Sequence, residues 1–422
     1  MALILSIGSL IAWAVLLMGR GGFWWADQLI DKPTSPQPPL GVVAVVPARN
    51  EAEGIARTVR SILSQDYAGP LRLVVVDDHS TDGTAELAHQ AAAALGAESR
   101  LEVLAARDLP TGWSGKMWAV AQGVARAREL NPDAEFLWLT DGDIEHEPDT
   151  LNRLTAKAGR DGLVLTSLMV LLHNRTSAER LLIPAFVFFF MKLYPFRWIN
   201  DPGNRLAGAA GGCMLVRARA LERAGGIDSI KDAIIDDCAL ARRLKTQGPI
   251  WLGLTRKSHS LRIYDGVGDI WAMVARTAYT QLDYSLWRLL GAVLGMVLLY
   301  LMPLLALFLG LSGNNPLLTG AGGLTWLLMG IAFAPTLRLY RMSPAHGLTL
   351  PLAGVLYTLM TADSARRHWV GRGGGWKGRT YAQGTGLLRD TPMPNSPQSR
   401  ESMVKSPPEE VAAGGRPEGL QP

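Results

Sequence analysis

The sequence predicts an α/β protein, a doubly wound sheet domain held to a membrane by apolar segments. Two observations support this prediction. Short apolar runs alternate with stretches of helical periodicity between about residues 41 and 162, and long apolar blocks lie at the amino terminus and after residue 288. Hydrophobic residues make up 48% of the 422-residue chain, and charged residues only 19%. We therefore expect a water-facing body attached to a bilayer.

The amino-terminal segment, residues 1–19, is predicted to be an uncleaved membrane anchor. Residues Ala2 to Met18 are apolar and uncharged, and Arg20 follows them, whereas a secretory signal carries its positive charge in front. A basic residue on that side favours a cytoplasmic position for the domain that follows. Residues 20–40 are predicted to be a linker, stiffened by prolines between Asp31 and Leu40.

Four apolar runs are predicted to be buried parallel strands: Val42–Val46, Leu71–Val76, Leu101–Leu104 and Phe136–Leu139. Helices are predicted between them, at Ala52–Gln65, Thr84–Ala94 and Lys116–Arg128. Sheets of this kind bind ligands at the carboxyl ends of their strands. The polar residues best suited to chemistry follow those ends, so we expect the functional site there.

The second half of the domain, residues 163–282, contains the apolar stretch Leu181–Trp198. A central proline and Lys192 argue against a simple spanning helix. An interfacial segment, or a wall of a lipid-acceptor site, is the favoured interpretation. An unusually apolar core helix is the alternative.

Three apolar blocks follow within residues 288–362: Leu289–Leu311, Leu317–Pro335 and Leu348–Ala362. The third is short for a span. A basic segment, residues 363–387, comes next, and four spans would place it outside, against the positive-inside rule. Either the third block is re-entrant or the amino-terminal anchor does not cross. Residues 388–422, rich in Pro, Ser, Glu and Gly, are predicted to be disordered.

The charge and cysteine content limit the partners. A net charge of +5, without basic runs interleaved with aromatics, argues against nucleic acid and suits an anionic membrane surface. The two cysteines, Cys213 and Cys238, form no CxxC pair, which suits a reducing cytosolic location.

Polar clusters follow the first two predicted strands. Residues Pro47 to Glu51 lead into a helix, where they either contact a nucleotide or cap the helix. Two adjacent carboxylates, Asp77 and Asp78, end the second strand. One of them can cap the next helix while the other accepts a hydrogen bond from a base or ribose.

The fourth predicted strand ends in Asp141 and Asp143, separated by Gly142. Both carboxylates can face one hard cation, and Mg²⁺ or Mn²⁺ prefers carboxylate oxygens while keeping sites open for diphosphate. Gly142 lets the backbone pass close to a ligand. A divalent-metal site is therefore favoured over an ordinary Asp-Gly turn.

Three further charged residues lie at predicted helix starts. Asp236 and Asp237 open one helix, either as caps or as a candidate general base. Lys116 opens another, either solvated or holding a nucleotide diphosphate.

Together these motifs resemble the inverting glycosyltransferases of family 2, which have the GT-A fold. The quoted segments are VVAVVPARNEAE, VVVDDHSTDGT, GWSGKMWAVAQG, LTDGD and IDDCALARRLK, and they cover residues 41–282 in the family's order. The flanking apolar segments are similar to those of the lipid-acting branch. LLIPAFVFFF, YPFRWIND, AAGGCMLVRARALE and VARTAYTQL closely resemble the hopanoid-biosynthesis-associated glycosyltransferases.

This resemblance implies roles for the matching residues. Pro47, Ala48 and Glu51 would line the nucleotide, and Asp78 would contact its base, usually uracil. Asp141 and Asp143 would hold Mg²⁺ or Mn²⁺ on the donor diphosphate, with Lys116 as a further donor-binding residue; the catalytic pair would be Asp236 and Asp237, of which Asp237 is the base. Asp236 stands where the family more often has glutamate.

The implied activity is transfer of a single sugar from a nucleotide sugar to a lipid, because the Gln-x-x-Arg-Trp motif of processive synthases is not recognisable between Arg276 and Gln281. The implied location is the bacterial inner membrane, multi-pass, with a cytoplasmic catalytic domain. A sugar nucleotidyltransferase and a catalytically silent membrane scaffold remain as alternatives. The nucleotidyltransferase would be expected to carry a glycine-rich loop that PARNEAE lacks.

Overall fold

The structure is a computed structural model that describes residues 1–30, 39–371, 375–376, 379–381 and 388–390. Most of the predicted proline-stiffened linker and nearly all of the predicted disordered tail therefore lie outside the described residues. Residues 20–30, also predicted as linker, pack against the domain instead of standing free. Phe23 is buried, and Leu29 forms a parallel bridge with Leu254.

An eight-stranded mixed sheet forms the centre of the domain. Its strands are β1 (Val42–Ala48), β2 (Leu71–Asp77), β3 (Leu101–Ala105), β4 (Phe136–Thr140), β5 (Ile144–His146), β6 (Leu165–Leu171), β7 (Cys213–Arg217) and β8 (Ile250–Ser260). Their order in the sheet is β3-β2-β1-β4-β7-β6-β8-β5.

The four predicted strands are confirmed as a parallel set, since β1 pairs in parallel with β2 and β4, and β2 with β3. Strand β3 is less buried than predicted because it lies at the edge of the sheet. The second half of the sheet is mixed, because β7 runs antiparallel to both β4 and β6.

Fourteen α-helices are found in the described residues: α1 (Ala2–Gly19), α2 (Ile55–Leu63), α3 (Thr84–Ala93), α4 (Gly115–Leu130), α5 (Thr150–Arg160), α6 (Ser177–Leu193), α7 (Phe196–Asn200), α8 (Ala218–Arg223), α9 (Asp236–Lys245), α10 (Val267–Thr277), α11 (Leu286–Met296), α12 (Met302–Ser312), α13 (Pro316–Leu339) and α14 (Leu350–Trp369). A π-helical turn, Val297–Leu301, joins α11 to α12. Three short strands, β9 (Gly375–Trp376), β10 (Arg379–Tyr381) and β11 (Leu388–Asp390), form a separate small sheet.

Side chains alternate along the central strands between two apolar layers. Val43 and Val45 of β1 face the layer that includes α4, whereas Val42 and Val46 face the layer that includes α2. This period of two is the expected geometry of a strand covered on both faces. It leaves the carboxyl ends of the strands as the open edge for ligands.

Helix α6 contains most of the apolar stretch Leu181–Trp198. Leu182, Val187 and Phe188 are fully buried, and the Tyr357 hydroxyl of α14 donates to the Leu182 carbonyl at 2.9 Å. The helix starts with a capping box formed by Thr176 and Glu179. This burial favours the alternative core helix over an interfacial one, because α13 and α14 cover the apolar face that the sequence alone leaves open. The other option, a wall of a lipid-acceptor site, stays a prediction.

Within the described residues, three helices are long and apolar enough to span a membrane: Ala2–Gly19, Leu286–Ser312 and Pro316–Leu339, with 18, 27 and 24 residues. The third predicted carboxy-terminal block is α14, which is not among them. Its last turns carry Asp363, whose carboxylate pairs with both Arg366 and Arg367.

Candidate active site

The loops after β1 and β2 interlock at the carboxyl edge of the sheet. The Asn50 amide donates to Ser80 Oγ at 3.0 Å, and the Thr81 amide donates to Asn50 Oδ1 at 2.9 Å. The Ala52 amide donates to Asp82 Oδ2 at 2.9 Å. Because these bonds hold Glu51 to Gly54 in a turn, α2 begins at Ile55, three residues later than predicted.

Neither carboxylate of the Asp77–Asp78 pair caps α3, contrary to that part of the prediction. Asp82, one residue before the N-cap position, contacts the start of α3 instead, because its Oδ1 accepts from the Thr84 amide at 3.1 Å. The Asp78 side chain is almost fully buried, and Arg49 Nη1 lies 3.6 Å from its Oδ2. In the described part of the chain, Asp77 Oδ1 is buried without a hydrogen-bond partner. Asp77 Oδ1 could therefore accept a hydrogen bond from a ligand, although the resemblance does not single this residue out.

The residues predicted to line the nucleotide differ in exposure. Pro47 lines the cavity described below. Ala48 is fully buried, and its carbonyl accepts from the Asp78 amide at 2.8 Å, so its side chain is not presented to a ligand. Glu51 lies against the β4–β5 turn, where a methyl group on Gly142 would lie 3.2 Å from Glu51 Cγ.

The β4–β5 turn carries both predicted metal ligands, Asp141 and Asp143. Thr58 Oγ1 donates to the Gly142 carbonyl at 2.9 Å, and the Leu261 amide donates to the Asp143 carbonyl at 2.7 Å. The turn is thus held from α2 on one side and from the chain after β8 on the other. This support fixes the backbone from which the two carboxylates project.

Lys116 is not a solvated helix-start lysine. Its Nζ lies 2.9 Å from Asp141 Oδ1 and 3.1 Å from Asp236 Oδ2. Ser114 positions it by capping α4, since Ser114 Oγ accepts from the Met117 amide at 3.3 Å. Burial alone would lower the pKa of Lys116, but the two carboxylates raise it above its ordinary value. The lysine is therefore a fixed positive charge.

Asp237 lies at the start of α9 and does not act as its cap. Its Oδ2 accepts from the Gly211 amide at 3.0 Å, and its Oδ1 from the Cys238 amide at 2.6 Å. Burial, and then the neighbouring Asp236, raise the pKa of Asp237 to about 6, although Lys116 opposes this. A carboxylate of this pKa is suited to general-base chemistry near neutral pH.

The strand ends and helix starts line a cavity that is partly open to solvent. Four residues predicted from the sequence line it: Pro47, Lys116, Asp141 and Asp236. Its floor is apolar, with Met117, Leu139 and Met214 among the lining residues. An apolar cavity with a few convergent charged groups is the usual form of a small-molecule site.

The carboxylates present fit a divalent cation that is shared with a substrate. The described residues contain no group of three or more His, Cys, Asp and Glu side chains arranged around one point. Mg²⁺ is commonly held by one or two carboxylates, with substrate phosphates and water completing its shell. Asp141 and Asp143 meet that requirement, and within the part of the chain that the structure describes no site is formed by protein ligands alone.

Comparison with known proteins identifies the domain. Residues 43–225 match the family model described as glycosyl transferase family 2. This part of the chain therefore matches a family 2 glycosyltransferase domain, and the predicted enzyme class, a glycosyltransferase, is confirmed. No curated protein matches the chain.

Solved structures similar to this chain include a mannosyltransferase from Pyrobaculum calidifontis in complex with GDP-Man and Mn²⁺. It is 19% identical, with a TM-score of 0.50, and the match covers 88% of this chain and 99% of that one. This likeness supports the predicted GT-A fold.

Two further structures match with lower scores. S. aureus TarS 1–349 in complex with UDP-GlcNAc is 15% identical, with a TM-score of 0.37, covering 83% of this chain and 97% of that one. Glucosyl-3-phosphoglycerate synthase from Mycobacterium tuberculosis, in complex with Mg²⁺ and uridine diphosphate, is 17% identical, with a TM-score of 0.38, covering 58% and 79%.

Proposed function

We propose that this protein is a membrane-bound inverting glycosyltransferase that moves a single sugar from a nucleotide-diphosphate sugar to a lipid. The observation that carries the proposal is the cluster of Lys116, Asp141 and Asp236 at one cavity of a domain that matches family 2. Asp237 lies beside them, bonded to the Gly211 amide of the same cavity lining. A positive charge for diphosphate, a metal-binding turn and a carboxylate of raised pKa are the three parts that such a transfer needs.

The donor would lie along the carboxyl edge of the sheet, with its base near Asp77 and Asp78 and its diphosphate near Lys116. Mg²⁺ or Mn²⁺ held by Asp141 and Asp143 would neutralise negative charge that grows on the leaving nucleoside diphosphate. A UDP-sugar is the donor that the resemblance implies. The similar structures contain GDP-Man, UDP-GlcNAc or uridine diphosphate. Donors that carry UDP and donors that carry GDP therefore both belong in the test.

Asp237 would act as the general base. Its carboxylate removes the proton of the acceptor hydroxyl as that oxygen attacks the anomeric carbon from the face opposite the diphosphate, which inverts the configuration there. The hydrogen bond from the Gly211 amide orients the carboxylate. Asp236 would hold Lys116 at the diphosphate end of the cavity.

The lipid nature of the acceptor is supported by where the apolar helices meet the domain. The carboxyl end of α1 is tied to α6, because Arg20 Nε donates to the Lys192 carbonyl at 3.0 Å. The carboxyl end of α13 is tied to β8, because Arg256 Nη2 donates to the Arg338 carbonyl at 2.7 Å. A lipid headgroup at the membrane surface would therefore lie close to the catalytic domain.

These attachments also support a three-span topology for α1, the α11–α12 helix and α13. The carboxyl ends of α1 and α13 lie on the catalytic-domain side, so one crossing by α11–α12 completes a consistent path. Helix α14 then stays on that side, where Trp271 Nε1 of α10 donates to Asp363 at 2.8 Å. The basic segment, residues 363–387, would be cytoplasmic together with the domain, in agreement with the positive-inside rule. Of the two options left open by the sequence, this proposal takes the one in which the third block is re-entrant and the amino-terminal anchor crosses.

A role in hopanoid biosynthesis, at the bacterial inner membrane, rests on the resemblance of the quoted segments. It makes a polycyclic or isoprenoid lipid the acceptor class to test first.

The proposal is tested by measuring the release of its by-product, the nucleoside diphosphate. Protein in lipid nanodiscs is incubated with UDP-sugars or GDP-mannose, native lipid extract and Mn²⁺ or EDTA. We expect nucleoside diphosphate release that needs metal and is lost in the Asp141→Asn/Asp143→Asn double variant. It should persist in Asp133→Asn, which changes an exposed aspartate outside the site.

Other outcomes identify the alternatives. In a parallel incubation with a nucleoside triphosphate and a sugar 1-phosphate, release of pyrophosphate would show a sugar nucleotidyltransferase. Absence of any product from folded protein with every donor would favour the membrane scaffold.

A further inference from the structure

A buried chain of hydrogen bonds lies behind the metal-binding turn. His146 of β5 is only 3% exposed, and its Nε2 lies 3.0 Å from Thr140 Oγ1 at the end of β4. Its Nδ1 lies 2.9 Å from Ser258 Oγ of β8. Thr140 Oγ1 in turn donates to the Gly212 carbonyl at 2.7 Å.

The last bond fixes the direction of all the others. The Thr140 hydroxyl has one proton, and it donates that proton to Gly212, so it must accept from His146 Nε2–H. His146 Nδ1 then carries no proton and accepts from the Ser258 hydroxyl. Burial, with a smaller effect of His259, lowers the pKa of His146 to about 3, so the ring stays neutral and this tautomer persists.

The chain ends at the two loops that carry the proposed chemistry. Thr140 directly precedes the metal ligand Asp141, and Gly212 directly follows Gly211, whose amide donates to Asp237 at 3.0 Å. The Thr140–Gly212 bond therefore joins the metal-binding turn to the loop that orients the base. Strands β4 and β7 bring these residues together, since Thr140 pairs with Cys213.

We infer that His146 is a positioning residue that fixes the metal-binding turn against the loop holding Asp237, an inference that rests on the function proposed above. The ring touches neither donor nor acceptor and acts through Thr140. Trp138 holds it from the side, with ring centroids 4.6 Å apart. If His146 only filled space in the core, an aromatic ring without nitrogens would serve equally well.

The test compares replacements that keep or remove the bond to Thr140. In His146→Phe the ring volume stays and the bond is lost, whereas in His146→Gln the side-chain amide can still donate to Thr140. Thr140→Val cuts the same chain with almost no change of volume, and Thr140→Ser preserves the hydroxyl. Thr166→Val is the matched control, because the Thr166 hydroxyl is buried without a hydrogen-bond partner among the described residues.

We expect kcat to fall by about 10- to 100-fold in His146→Phe and in Thr140→Val, because an ångström of misplacement at a reacting centre costs up to about 10²-fold. KM for the donor should change little, because the parts that bind it remain. Activity should be substantially recovered in His146→Gln and Thr140→Ser. The double variant His146→Phe/Thr140→Val should be no slower than the worse single variant, since both act through one bond.

Full kcat in folded His146→Phe, or equal losses in His146→Phe and His146→Gln, would overturn the inference while leaving the proposed function intact. If His146→Phe does not fold, the Thr140→Val and Thr140→Ser pair decides, and equal kcat in the two would overturn it. Wild-type protein that transfers no sugar from any donor would refute the proposed function, and the inference with it. A ¹⁵N spectrum of labelled histidines gives an independent readout, because His146 protonated at Nδ1 would contradict the chain.

Discussion

Lys116 balances three carboxylates at one end of the cavity. It pairs with Asp141 and Asp236, and it partly offsets the rise in the pKa of Asp237 that burial and Asp236 cause. Without this cation, burial and Asp236 would raise the pKa of Asp237 further. The lysine therefore favours the ionised form of Asp237, and it also presents charge to a diphosphate.

The first prediction concerns Asp237→Asn. The amide preserves the shape and can still accept from Gly211, but it cannot take a proton from the acceptor. We expect kcat to fall by about 10²–10⁴-fold while binding of nucleoside diphosphate with Mn²⁺ is retained. Steady-state kinetics and titration calorimetry measure the two quantities. Asp232→Asn, which changes an exposed aspartate shortly before α9, is the control. Near-normal kcat in Asp237→Asn would remove this residue from the mechanism.

The second prediction concerns pH. The base works only when deprotonated, and burial and Asp236 raise the pKa of Asp237 from 3.8 to about 6. Activity should therefore be lost as the pH falls through about 6, by roughly tenfold per pH unit, and be complete above it. Lys116→Met should move this limb to higher pH, because the cation that opposes protonation is gone. A kcat/KM profile with its acid limb near pH 4 would contradict the assignment.

At the scale of elements, helix α4 sets the position of Lys116. Gly123 lies seven residues after Lys116, on the same face of the helix, and packs against β1 and β2. A methyl group there would collide with Val45 and lie 2.9 Å from Val76 Cγ2. The close approach of helix and sheet thus depends on a glycine at this position.

We therefore predict that Gly123→Ala destabilises the protein by about 1–3 kcal/mol, because the helix must move away from the sheet. The shift should also lower kcat/KM by displacing Lys116. Thermal unfolding in detergent and donor kinetics test these effects. Gly268→Ala in α10 is the matched control, since nothing lies within 4 Å of the added methyl group. Equal stability of the two variants would show that α4 tolerates the displacement.

The sequence predicts the elements of the first half well, and their tertiary roles less well. The four apolar runs are long enough and bounded well enough to mark the parallel strands. The burial of α6 was not predictable, because helices more than a hundred residues away cover it. The ion pairs of Lys116 depend on loops that only the fold brings together. Its position at a helix start was therefore equally consistent with a solvated lysine and with a lysine that holds a diphosphate.

At the scale of the whole molecule, the proposed three spans place the catalytic domain and the chain after α14 on one side of a bilayer. Both natural cysteines are buried and unpaired, so single introduced cysteines can be labelled with little background. Ser312 ends α12 at the far side of the proposed membrane, and Ser99 is exposed on the catalytic domain.

We predict that an impermeant maleimide added to intact cells labels Ser312→Cys but not Ser99→Cys, and that both are labelled after lysis. A reporter fused to the carboxyl terminus should be active only on the side of Ser99. Labelling of Ser99→Cys in intact cells would reverse the orientation. A carboxyl terminus on the side of Ser312 would show that α14 crosses.

The central claim is transfer of a sugar to a lipid, and the most direct test follows the label of the sugar. Membranes containing the protein are incubated with the radiolabelled donor that supports metal-dependent release of nucleoside diphosphate, and the products are partitioned between water and organic solvent. We predict metal-dependent label in an organic-phase lipid that is absent with Asp237→Asn. Label confined to water-soluble products, with native lipids present, would contradict a lipid acceptor.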